Sequence, residues 1–241
     1  MRFNRLFVTA LSLTLPVAAC SSNASAGDRV AGTTQSFQIA NFSGVALQGS
    51  DDVDVRVGTG FSVRAEGPAA ELAQLRIVRD GDTLRIDRKP RTGFGWTSSR
   101  GVKVFVTMPR IIAAEVRGSG DMAIDRVEGS RFAAAAVGSG NLRIAAITTG
   151  QATLAARGSG DLTAAGAVDQ LTAAVTGSGA INAPGLKARS AVVALRGSGD
   201  LRATVTGTAT VALSGSGDID LGRQARCTIS KSGSGDVRCG G

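Results

Sequence analysis

The tripeptide Gly-Ser-Gly begins at Gly118, Gly138, Gly158, Gly177, Gly197, Gly215 and Gly233, at spacings of 20, 20, 19, 20, 18 and 18 residues. A fixed period near twenty marks a solenoid, in which each repeat is one coil that buries its apolar side only by stacking on its neighbours. Glycine suits the corner of such a coil because it reaches positive φ without a Cβ clash and lets adjacent backbones approach closely. The serine between the glycines can hydrogen-bond locally.

Aligning the copies on this corner predicts which side chains point inward. Two residues past the second glycine stand Met122, Leu142, Leu162, Ile181, Leu201, Ile219 and Val237, and two further on stand Ile124, Ile144, Ala164, Ala183, Ala203, Leu221 and Cys239. The residues between them, such as Arg143, Asn182 and Asp220, are mostly polar. That is the period-two alternation of a strand with one buried face. Ahead of the corner, Ala114, Ala134, Leu154, Ala173, Val193, Val211 and Ile229 form one inward column, and Ile112, Phe132, Ala152, Leu171, Ala191, Ala209 and Cys227 form another. Aromatic residues make up only 4% of the chain, and tyrosine is absent, so Ala, Val, Leu and Ile must fill this core. The expected fold is all-β: a single-stranded β-helix or solenoid with coils of about twenty residues and Gly-Ser-Gly corners. Stacking advances ~4.8 Å per coil.

The corners also arrange charge. Arg117/Asp121, Arg157/Asp161 and Arg196/Asp200 flank alternate corners, with Asn141 and Ala180 between them. Like charges directly opposite on neighbouring strands are unfavourable, and this spacing separates them. The alternation lapses where Asp200, Asp218 and Asp236 follow one another, with Arg202 and Arg238 available to help. Lys231 replaces an otherwise apolar column, so the last copy reads as a cap on the exposed edge. Cys227 and Cys239 both fall in inward columns of that copy and are expected to form a disulfide in an oxidising compartment.

Upstream of the repeats the chain divides into a signal peptide (1–19), a tether (20–36) and an N-terminal β region (37–110), followed by the repeat solenoid (111–241). Arg2 and Arg5 precede a short apolar run from Leu6 to Pro16, as in an export signal. The run is too short to cross a bilayer. Val17-Ala18-Ala19-Cys20 resembles the bacterial lipobox, which implies cleavage before Cys20 and acylation of that cysteine. Ser21 and Ser22, rather than aspartate, follow it, and this resemblance implies outer-membrane sorting. Losing Arg2 and Arg5 leaves 27 − 2 = 25 basic residues against 19 acidic ones, a mature net charge of +6. Such a surface favours anionic neighbours, lipid headgroups or acidic glycans among them, or simply keeps the protein soluble.

Ser21 to Ser36, rich in Ser, Ala and Gly, reads as a flexible linker. Beyond it Val53, Val55 and Val57 share a strand face, as do Phe61, Val63 and Ala65. Pro68 to Leu75 can hold one helical turn, and Asp80-Gly81 is a hairpin signal. Whether this region continues the solenoid or caps it stays open, with continuation favoured because Val102 to Val116 runs into the first repeat without a linker.

The chain has no histidine, which removes histidine triads, histidine bases and histidine metal ligands together. The corner serines lack the Gly-x-Ser-x-Gly spacing of a nucleophile elbow. The repeated aspartates invite comparison with calcium-binding nonapeptide coils. The period is wrong for these and the column is interrupted, so acceptance of backbone N–H bonds is the expected role. No cofactor, metal or nucleic-acid partner is expected. Arg91, Phe94, Trp96 and Arg100 form a loop that either grips an anionic ligand through cation–π and ionic contacts or tucks its tryptophan beneath the first coil.

Gly49-Ser50-Asp51 followed by Val53, Val55 and Val57, the Asp80-Gly81-Asp82-Thr83-Leu84 hairpin and the Gly-Ser-Gly-Asp-Leu repeats together resemble the "putative autotransporter adhesin, head GIN domain" family. The resemblance spans Phe37 to Gly241. It implies a cell-envelope protein, often a lipoprotein, and carries over no functional residue. Nothing in the sequence resembles a translocating barrel. The expected function is therefore non-enzymatic: a lipid-anchored envelope protein presenting a solenoid surface for adhesion or scaffolding. The alternative is a glycan-binding or glycan-active envelope protein using the Trp96 loop.

Overall fold

Every Gly-Ser-Gly corner joins two rows of strands stacked in parallel register, one row before the corner and one after it. The computed structural model describes residues 33–90 and 101–240. Its early strands are β1 (Thr33–Phe37), β2 (Gly44–Gly49), β3 (Asp52–Val57), β4 (Ser62–Gly67), β5 (Leu75–Asp80), β6 (Thr83–Arg88) and β7 (Lys103–Met108). A single helical turn, α1 (Ala69–Leu72), lies between β4 and β5. The repeats supply β8 (Ala113–Gly118), β9 (Met122–Ile124), β10 (Val127–Gly138), β11 (Leu142–Gly158), β12 (Leu162–Gly177) and β13 (Ile181–Gly197). They end with β14 (Leu201–Val205), β15 (Thr208–Gly215), β16 (Ile219–Asp220), β17 (Arg226–Ser232) and β18 (Val237–Arg238).

The row before the corner stacks β2, β8, β10, β11, β12, β13, β15 and β17, with all the corner glycines from Gly49 to Gly215 in register. The row after it runs from β3 through β9, β11, β12, β13, β14 and β16 to β18. A third row stacks Val127–Gly129 on Ile147–Thr149, Gly166–Val168, Leu186–Ala188 and Thr204–Val205. Differences in coil length are absorbed mainly where the second row bends into the third, with one residue regained between Ala188 and Ala191 in an 18-residue coil. Register shifts at that bend fall between Ile144 and Ile147, Thr163 and Gly166, and Ala183 and Lys187. The other two rows keep strict register because their side chains must stay in the inward columns.

The corner itself is held by backbone. The carbonyl of Gly138 accepts N–H bonds from both Ser159 (2.8 Å) and Gly160 (3.0 Å) of the next coil, and the carbonyls of Gly49, Gly118, Gly158, Gly177 and Gly197 are forked in the same way. The first glycine takes positive φ, 113° at Gly158. The second is buried, and a Cβ there would lie closer than 3.0 Å to the carbonyl oxygen of the preceding coil's equivalent residue. A Cβ on the first glycine would meet the preceding coil's carbonyl in the same way, so the first is required on two counts and the second on one. The serine contributes mainly its N–H, since its side chain is exposed at each corner. A hydroxyl bond between coils is seen from Ser234 to Ser216.

The inward columns form one continuous core from Phe42 to Ala225. Two expected members depart from it. Ile112 is exposed because β8 starts only at Ala113, and Ile111 takes the buried place instead. Ile229 sits above Val211 in its column but is 46% exposed, because no described coil covers β17.

Residues 44–57 make a further coil with its own corner, Gly49-Ser50-Asp51, placed directly beneath the first Gly-Ser-Gly copy. Under this coil lie β6 and β7, still parallel to it. The sheet then turns antiparallel: β5 pairs with β6 through the hairpin at Gly81, and β4 pairs with β7. Outside β4 runs β1, so Thr33–Ser36, which composition assigns to the tether, are instead a strand. Its polar side chains are exposed, and pairing with β4, rather than burial, is what orders it. In α1, Leu72 is buried, as is Leu75 just beyond it.

Asp51 occupies the place that the second glycine holds in later copies, with its backbone directly beneath Gly120. Among the described residues no glycine corner lies below it, and the carboxylate is only 1% exposed. Arg88 meets it with two guanidinium nitrogens, Nε to Oδ2 at 2.8 Å and Nη2 to Oδ1, while Val102 N donates to Oδ1 at 3.1 Å. A third nitrogen of Arg88 pairs with Glu71 on α1. Hydrogen bonding to Asp51 raises the Arg88 pKa above its ordinary value against the opposing effect of burial, and Glu71 adds to the rise.

Two substitutions test this account. Gly160→Ala should destabilise the solenoid by roughly 3 kcal/mol in urea unfolding, whereas Ser159→Ala should change it by less than about 0.5 kcal/mol. Arg88→Ala strands a buried carboxylate and should cost about 3–5 kcal/mol by the same measurement.

Candidate functional site

The residue after each second glycine points its side chain along the stack. Asp121 Oδ1 accepts the N–H of Asn141 at 2.8 Å and its side-chain amide at 3.0 Å, and Asn141 Oδ1 accepts the N–H of Asp161 at 3.0 Å. Asp161 then receives Ala180 N at 2.9 Å. Below them Asp52 Oδ1 receives Asp121 N at 3.2 Å. Ala180 offers no side-chain acceptor, and the ladder resumes with Asp200 to Asp218 N (3.1 Å) and Asp218 to Asp236 N (2.8 Å).

This explains why three aspartates can follow one another at the C-terminal end. The Asp200 and Asp218 carboxylates each accept a backbone N–H from the next coil, a charge-assisted bond that offsets repulsion between neighbours. Arg202 adds an ion pair to Asp200 at 3.0 Å, and Lys231 lies 3.9 Å from Asp236. The residue near Asp236 is thus Lys231 rather than Arg238.

Beside the ladder a recess of about 500 Å³ opens on the row after the corner, bordered by Asp52, Asp54, Lys103, Asp121, Arg143 and Asp161. Asp52, Asp121 and Asp161 each accept a backbone N–H, Asp54 lies 3.6 Å from Arg56, and among the described residues no three of His, Cys, Asp and Glu gather into a metal-binding group.

At the far end, Cys227 of β17 and Cys239 beyond β18 are joined by a disulfide with Cα atoms 6.1 Å apart. It ties the edge strand of one row to the end of the other. Cys20 and the loop residues Arg91, Phe94, Trp96 and Arg100 lie outside the described residues.

The second bend of each coil carries side chains that alignment on the glycine corner did not single out. Seven residues before the first glycine stand Arg131, Gln151, Gln170, Ser190, Thr208 and Arg226, a polar column in parallel register. The Gln151 amide donates to Gln170 at 3.3 Å. The signal was present in the sequence, but it is a run of unlike polar residues and has no period-two partner to mark it.

The solenoid fold agrees with comparison to known proteins. The family described as "Putative auto-transporter adhesin, head GIN domain" matches residues 41–225. The chain belongs to this family. Among solved structures, a "putative adhesin" from Bacteroides fragilis superposes with a TM-score of 0.78 at 20% identity, covering 86% of this chain and 96% of that one. A "putative lipid binding protein" from Parabacteroides distasonis gives 0.68 at 20% identity over 87% and 97% of the two chains. A second P. distasonis structure, a "putative adhesin", gives 0.69 at 17% identity over 86% and 96%. At such identity the likeness is one of fold. Among curated proteins none matches the chain.

For this GIN domain, thiol titration of the denatured, unreduced chain with Cys20 replaced by serine should find no free thiol, and two after reduction. Two free thiols without reduction would exclude the Cys227–Cys239 bond.

Proposed function

We propose that this GIN domain is a non-enzymatic, lipid-anchored envelope protein that presents a rigid β-solenoid for adhesion or scaffolding. The observation that carries the reading is the fold itself. A single covalent chain stacks recurring corners on a continuous core, and its outward columns carry small, polar and charged side chains held at fixed spacing. Such a surface suits recognition spread over several coils. The family's adhesin description supports the same reading.

A chain without histidine, whose recurring serines sit at exposed turns without a base, offers little for acid–base or nucleophilic chemistry. Cys20, following Val17-Ala18-Ala19, supplies the anchor, and more than one acyl chain holds a protein durably on a membrane. Serines at 21 and 22 favour the outer membrane.

The test is expression of the full chain and of Cys20→Ala in cells lacking the protein. The full chain should fractionate with outer membranes, incorporate labelled palmitate and restore attachment to a surface, while Cys20→Ala should be soluble and fail to restore it. Unlabelled protein, or attachment unchanged by loss of the protein, would overturn the proposal.

A further inference from the structure

Two cavities beside the third row share Gly150 and Asp169, and the polar column enters one of them. One, of about 480 Å³, runs over the third row to Lys187 and Arg189, and the other, of about 470 Å³, runs past Arg131, Gln151 and Gln170. Each has the size of a small-ligand pocket. Gly150 keeps the junction open: a Cβ there would sit 3.0 Å from the Ser130 carbonyl oxygen and 3.9 Å from the Asp169 carboxylate. The result is a trough crossing several coils, with its side chains mounted on strands in parallel register.

Its chemistry is mixed in a definite order. Lys187 and Arg189 are exposed at one end and Arg131 is exposed at the other. Between them Gln151 and Gln170 offer both donors and acceptors, and Asp169 is an acceptor. The Asp169–Arg189 ion pair, at 3.0 Å, has both side chains more than half exposed, so a ligand can compete for either partner. A bare phosphate surface needs donors alone and would be repelled by Asp169. A neutral sugar would bring no charge to Lys187 and Arg131, nor any to compete with Asp169 for Arg189. A chain carrying carboxylates and hydroxyls together satisfies the whole set, since guanidinium groups bind carboxylates bidentately while amides and carboxylates bind vicinal hydroxyls. A concave trough also fits a single extended chain better than a flat membrane.

We propose that this trough is a binding site for an acidic oligosaccharide, with Lys187, Arg189 and Arg131 on its carboxylates and Asp169, Gln151 and Gln170 on its hydroxyls. The proposal rests on the surface-presentation reading above and gives that surface a ligand class and a place.

The test is calorimetric titration of the full chain with an oligogalacturonate, an oligosialate, the carboxyl-reduced oligogalacturonate, phosphatidylglycerol vesicles and a poly-glutamate peptide. At least one acidic oligosaccharide should bind, weakening with added salt, and the reduced sugar should bind at least about tenfold more weakly. Lys187→Ala/Arg189→Ala should lose about tenfold or more in affinity and Asp169→Asn about threefold or more. Arg157→Ala/Arg196→Ala, on the row before the glycine corner, should bind as the unaltered chain does. Binding to neither acidic sugar, tighter binding to vesicles or poly-glutamate, or equal loss in both double variants would overturn the site. If sugar binding fails while the full chain still restores attachment to cells, the trough is wrong and the surface-presentation reading stands.

Discussion

The forked hydrogen bond at the glycine corner is the constraint on which the rest of the molecule depends. One carbonyl takes two N–H groups from the coil above, so the corner is satisfied without any side chain. This fork demands that backbones meet at strand-pairing distance even at a sharp bend, where an ordinary residue would place its Cβ against the neighbouring carbonyl. Once glycines close the corner, the residues on either side are locked into register, and period-two alternation delivers one face of every strand to the core. The aspartate ladder follows from the same lock, because each carboxylate finds the N–H of the next coil at a fixed place.

A stack of identical coils has no intrinsic stopping point, and its ends are where the chain departs from the repeat. At the N-terminal end the second corner glycine becomes Asp51, whose carboxylate is buried against Arg88, with Glu71 completing the cluster. Arg76 adds a two-pronged pair with the buried Asp87 on the neighbouring hairpin. Parallel pairing gives way there to antiparallel strands, which need only short connections and so wrap up the edge economically. At the other end a lysine stands in an inward column, where an aliphatic residue would invite another strand. The disulfide ties this last coil together.

The solenoid and its inward columns were legible because one short motif sets the register, and every column can be counted from it. The hairpin at Gly81 and the buried pair Leu72 and Leu75 were legible as local signals. What escaped depends on contacts far apart in sequence. Thr33–Ser36 looks like linker because its order comes from β4, some thirty residues on. Ile112 and Ile229 obey the column arithmetic, yet one precedes its strand and the other lacks a coil above it. The partnership of Asp51 with Arg88 joins residues 37 positions apart, and no pattern announces it. The polar column seven residues before the glycine escaped for another reason: its members are unlike and no period-two partner marks them, while shifts in coil length hide the third row.

Placing the terminating devices at the two ends of the stack separates length from stability. A coil inserted between two Gly-Ser-Gly corners would meet the same fork below and above, and neither Arg88 nor the disulfide would sense it. Each insertion would lengthen the stack by ~4.8 Å and extend the outward columns by one rung. Descendants of such a gene can therefore change how far the surface reaches, and how many equivalent positions it offers, in whole steps and without redesigning a core.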